Sequence, residues 1–213
     1  MYPNYAREER IADAAMHLLG VIGAMSGAVV LIVWAAEHTT AGHLAAISIY
    51  ASTLIATFAF SAMYHFTPWE AARPVLRRFD HAAIYLKIAG TYTPLVMMIG
   101  TVFAFVILGI VWALAIAGMV LKLFFWRAPG RFDPLLYLVM GWLSLFLVWS
   151  LVPILPTAAL ILIAVGGLLY SLGVIPYSNE RLKYAMAIWH GFVVSASACF
   201  FAAIAVAAAA LPI

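Results

Sequence analysis

Of the 213 residues, 67% are hydrophobic and only 9% charged, and the mean hydropathy is +1.09; soluble domains are about half apolar and a quarter charged. A soluble fold is therefore excluded: the apolar runs must face lipid, where helices satisfy their own backbone hydrogen bonds. The net charge of +3 is modest and its basic residues sit almost wholly in loops, which suits membrane orientation and speaks against nucleic acid as a partner, while the single cysteine, Cys199, rules out an intramolecular disulfide.

The opening MYPNYAREERIA lacks the basic start and short apolar core of a cleavable signal, so the first span is expected to act as an uncleaved anchor. Apolar runs between charge, Pro and Gly punctuation then predict helices over 14–36, 42–65, 80–99, 101–124, 134–152, 157–176 and 184–210, each close to the ~20 residues a span needs. Charge supports the count. Arg7 and Arg10, then Arg73, Arg77 and Arg78, then Lys122, Arg127 and Arg131, then Arg181 and Lys183 fall on alternate connections. The eleventh basic residue, Lys87, lies inside a span. The positive-inside rule puts those connections and the N-terminus in the cytoplasm. The expectation is an all-α polytopic membrane protein, one domain over 1–213 of seven transmembrane helices, with its C-terminus on the opposite side. Trp34, Trp69, Trp126 and Trp149 fall near predicted span ends, as interfacial aromatics do. Gly23 and Gly27 have a GxxxG spacing suited to close helix packing.

Ionisable groups inside spans cost about 2.5–3.5 kcal/mol for a central Asp or Lys, so their depth is informative. His17, Ser61, His65, Asp80, His81 and His190 all fall toward the cytoplasmic ends of four helices, whereas His38 and His43 fall at the other. Ser61 and His65 are i, i+4 and share a face. Imidazoles and a carboxylate converging from different helices suit a divalent metal, zinc above all. A single interfacial histidine is more often hydrated or hydrogen-bonded, and His17 and His81 are read that way; Asp80 also suits a helix N-cap. Lys87, seven residues after Asp80 on one face, points to a polar cavity, a carboxylate partner or snorkelling.

Ser61-Ala-Met-Tyr-His65, Arg78-Phe-Asp80-His81-Ala-Ala-Ile-Tyr and Ala89-Gly-Thr-Tyr-Thr-Pro94 resemble the hemolysin III family, the bacterial branch of the progestin and adiponectin receptor superfamily. Glu9-Arg-Ile-Ala-Asp13 with His17 and Gly20, and Ala187-Ile-Trp-His190 with Phe192-Val193, resemble its first and last helices. The resemblance implies seven helices around a zinc ion near the cytoplasmic leaflet. His65 and His190 would be metal ligands, and Asp80 and Ser61 would act as the catalytic pair. The chain departs from the pattern at Met186, where the family's HxxxH has its first histidine, and at Phe200, where many relatives carry another. Asp80, His17 or His81 is then left to supply a third ligand.

The implied activity is zinc-dependent hydrolysis of a lipid amide, with membrane lipids as partners and an acyl lipid as substrate, in the bacterial inner membrane. Alternatives are a non-enzymatic membrane sensor, which the missing HxxxH histidine favours, and a pore-forming cytolysin, which would require oligomers.

Overall fold

The computed structural model describes residues 6–125, 133–179 and 181–211; Trp126, Arg127 and Arg131 lie outside them. Among the described residues all regular structure is helical: α1 (Arg7–His38), α2 (Ala41–Phe66), α3 (Arg73–Ile99), α4 (Val102–Phe124), α5 (Asp133–Trp142), a 3₁₀ turn (Leu143–Leu147), α6 (Val148–Leu151), α7 (Thr157–Tyr177) and α8 (Ala185–Ala210). Six helices, α1–α4, α7 and α8, are long and apolar enough to cross a membrane. The outward faces are apolar: Val30 is 67%, Ile175 65% and Leu18 62% exposed. That much exposed apolar surface, far beyond what a soluble monomer shows, is a lipid-facing belt. This is an integral membrane protein.

The fifth expected span differs. Residues 134–152 form no continuous helix; α5 gives way to the 3₁₀ turn and then to α6. Tyr92 of α3 supplies the physical reason. Its single hydroxyl hydrogen is shared between the Met140 and Gly141 carbonyls, at 2.9 and 2.7 Å, acceptors released where the helix tightens.

A second difference lies at α3. The helix begins at Arg73 with Ala72 as N-cap and a proline in its first turn, a position that tolerates the missing N–H. Asp80 is therefore two turns inside the helix, and the N-cap reading of it is wrong. Arg78 donates to the Leu123 carbonyl at the end of α4 at 3.1 Å, and Arg73 pairs with Glu70 at 3.0 Å. At the other end α3 stops at Gly100, whose φ of 68° is the left-handed conformation glycine adopts without strain.

The helices pack in a circuit, α1 on α2, α2 on α3, α3 on α5, α5 on α7, α7 on α8 and α8 on α1, with α4 laid against α3. Close approaches are made by small residues, and of the expected GxxxG pair only Gly27 makes one, where a Cβ would lie 3.0 Å from the Phe201 ring. A Cβ at Gly23 would meet nothing within 4 Å, whereas one at Gly118 of α4 would lie 2.5 Å from the Tyr85 ring. That ring is itself wedged against Tyr137, with centroids 4.8 Å apart. Gly118→Val should therefore force α3 and α4 apart. Overpacking of this kind costs about 1–3 kcal/mol, and thermal unfolding in detergent should show a melting temperature several degrees lower, while Gly23→Ala leaves it unchanged.

Candidate metal centre

Three helices bring imidazoles to one point. His17 of α1, His65 of α2 and His190 of α8 are 4%, 5% and 8% exposed. One ring nitrogen from each lies within 4.8 Å of the others, and ring centroids are 4.1 to 4.8 Å apart. Asp13, one turn before His17, touches all three. His190 Nδ1–H donates to its Oδ1 at 2.6 Å, His65 Nδ1 lies 3.4 Å from Oδ2, and His17 Nδ1 lies 3.7 Å from Oδ1.

The tautomer of His17 follows from its partners. Nδ1 is 2.9 Å from the Asp13 backbone carbonyl, which can only accept, so Nδ1 carries the proton and Nε2 the lone pair. Ser61 Oγ then donates to that lone pair at 3.2 Å. One aspartate thus engages the Nδ1 side of all three rings. Holding the second nitrogen on a carboxylate or carbonyl is how ligating histidines are oriented and fixed in one tautomer.

The sequence signal for Asp13 was available. Glu9, Asp13 and His17 repeat every four residues, and Asp13, His17, Gly20, Ala24, Ala28, Leu31 and Ala35 form the buried face of α1. A carboxylate buried on that stripe asks for a partner, but its partner is 177 residues away. His17, read as an ordinary interfacial histidine, is instead the third imidazole. Met186 borders a small void that Asp13 also lines. His81 is buried and lines the neighbouring cavity but stands outside the three-histidine group.

Glu9 belongs to the same arrangement. Its Oε1 accepts the Tyr184 backbone N–H at 2.8 Å and its Oε2 the Ala6 N–H at 3.0 Å. Tyr184, at φ 62°, is the one described non-glycine residue in the left-handed region. It caps the start of α8, so the carboxylate of α1 pins the strained turn that aims His190.

Beside the histidines opens a cavity of about 1530 Å³ whose walls include Ser61, His65, Asp80, Lys87 and His190. It exceeds the ~300–1000 Å³ of ordinary small-molecule pockets. Leu145, Val152 and Leu168 line it and are each more than half exposed on the lipid-facing surface, so it reaches the side of the bundle. Asp80 stands on this wall, half-buried, while the direct contacts to the imidazoles belong to Asp13.

The sequence model described as "Haemolysin-III related" matches residues 5–201. The chain belongs to the hemolysin III family. It is 37% identical over 196 residues to a "Hemolysin-3 homolog" of Bacillus subtilis, covering 91% of this chain and 92% of the relative. Over 195 residues it is 36% identical to "Hemolysin-3" of Bacillus cereus, covering 91% and 89%. The human "Monocyte to macrophage differentiation factor" is 30% identical over 166 residues, 73% of this chain and 67% of its own, which ties this hemolysin III protein to the wider progestin and adiponectin receptor superfamily.

Asp13→Ala should leave buried imidazole N–H groups without an acceptor, at about 1–3 kcal/mol. Chelator-treated protein carrying it should unfold at a lower temperature than wild type. Glu9→Ala should speed protease cleavage at residues 181–184, ahead of α8.

Proposed function

We propose that this hemolysin III protein is a zinc-dependent hydrolase of lipid amides, with His17, His65 and His190 holding the ion. The observation that carries the reading is a set of three imidazoles, oriented through one carboxylate, on the edge of a lipid-sized cavity. The donor set fits zinc: three neutral imidazoles are a recurring catalytic ligand set, with one position left for water or substrate. The lone pair that Ser61 engages on His17 is the one an ion would need.

Bound zinc would polarise an acyl carbonyl and make a water easier to deprotonate. The protein's own groups would do the rest. Asp80, on the cavity wall and not spent on orienting the imidazoles, would take the proton as general base and return it to the leaving amine. Ser61 would hold the reacting groups by its hydroxyl. The apolar walls would align the acyl chain and keep bulk water from the reacting bond.

By the same charge pattern we infer that the end carrying Arg73, Arg78 and Arg181 faces the cytoplasm of a bacterial inner membrane. A second reading rests on Asp13. A carboxylate in contact with three histidines is a satisfied pin between α1, α2 and α8, which suits a structural or sensing role without turnover.

Purified protein should carry about one zinc per chain. His65→Ala should lose both zinc and lipid-amide hydrolysis, Asp13→Asn should weaken zinc by about 10–100-fold, and Asp80→Asn should keep zinc while kcat falls at least about 100-fold. Equal turnover in wild type and His65→Ala would sink the hydrolase. Stoichiometric zinc without turnover of any lipid amide would leave the sensor.

A further inference from the structure

Lys87 sits midway along α3, is 7% exposed, and lines the same cavity as the imidazoles. Seven residues separate it from Asp80, roughly 10 Å along the helix. Among the described residues no carboxylate lies within ion-pair distance of it. Its Nζ donates instead to Ser197 Oγ of α8 at 2.6 Å. The ring faces of Phe58 and Tyr170 stand 5.1 and 4.9 Å away.

The hydrogen-bond inventory of Ser197 fixes the polarity of this cluster. A serine hydroxyl has one hydrogen and two acceptor positions. Ser197 Oγ donates to the Val193 carbonyl at 2.6 Å, so it must accept from both Lys87 and the Tyr170 hydroxyl, the latter at 2.9 Å. Nζ therefore faces an oxygen lone pair and two electron-rich ring faces, all of which favour an ammonium ion. An ammonium has three hydrogens, and Ser197 takes one. Tyr50 Oη of α2 is buried with no hydrogen-bond partner among the described residues. The layer is short of negative charge and of acceptors.

We propose that Lys87 is the head-group site for a long-chain carboxylic acid bound as its carboxylate. One cation calls for one anion, and the two carboxylate oxygens match the two ammonium hydrogens that Ser197 leaves. Most of the cavity wall is hydrocarbon, including Ile88, Leu95, Leu147, Leu151, Leu160 and Ile163, although Arg77 and Arg181 line it as well, so the anion must bring an alkyl chain. The site shares the cavity with the imidazoles, but the Lys87 hydrogen bond goes to Ser197 and to none of them, so binding there does not require a metal.

The test is displacement of a fluorescent fatty acid from the purified full chain in detergent by hexadecanoate and by hexadecanol, with and without chelator. Wild type should prefer the acid by at least tenfold, chelator should leave that preference intact, and potassium chloride should not displace the probe. Lys87→Met should abolish the preference while still binding the alcohol. Equal affinity for acid and alcohol in wild type, displacement by chloride, or an undiminished preference in Lys87→Met overturns the proposal; loss of the preference on chelation does so too, because the anion would then sit on the metal. Should Lys87→Met fail to fold, a photoreactive fatty acid crosslinked to wild type should label the peptides holding Tyr170 and Ser197, and labelling confined to those of His65 and His190 would equally overturn it.

Discussion

The contact on which this bundle's chemistry depends is the Asp13 carboxylate against three imidazoles. Water in the bilayer core is too scarce to solvate a buried carboxylate or ring N–H, and each unsatisfied group there is costly. The aspartate resolves that cost for four residues at once. In doing so it joins α1 to α2 and α8, and so ties the two ends of the sequence. The same contact holds one ring nitrogen of each histidine within 4.8 Å of the others.

Around it the protein separates two kinds of polarity. At the end carrying the basic connections, carboxylates and imidazoles meet, as lone-pair donors poised for a positive ion. Deeper, at Lys87, Ser197 and Tyr170, an ammonium meets one hydroxyl oxygen and two ring faces and is suited to a negative one. One cavity runs past both. Lone-pair donors near an interface and a cation near the middle would hold an amphiphile by two points of opposite character, with hydrocarbon walls between. The broken α5–α6 segment is part of the same construction: with Tyr92 hydrogen-bonded where α5 gives way to the 3₁₀ turn, it forms one wall of that cavity.

Much of this was legible in the residues. Hydropathy located six long spans to within a few residues, save the starts of α1 and α3, each seven residues earlier than expected, where charged first turns read as loop and are helix. His65 and His190 were found because they are histidines in apolar runs at one depth. Asp13 and His17 were harder to see. Each lies near the head of α1, where an interfacial reading is reasonable for a single residue, and only their spacing on the buried stripe hinted at more. Lys87 was visible as an anomaly, but its partners, 83 and 110 residues along the chain, were not.

By itself the sequence determined what has a one-dimensional cause: an integral membrane helical protein, since apolar content and charge spacing follow directly from the solvent a segment must meet; and family membership, since motif residues keep their order. The tertiary structure alone decided which of six histidines lie together, that the aspartate contacting them is Asp13, that the third imidazole comes from α1, and that the buried lysine faces a serine hydroxyl and two aromatic rings. Those facts depend on the rotation of each helix about its axis, which side-chain packing across the bundle sets and no local pattern encodes.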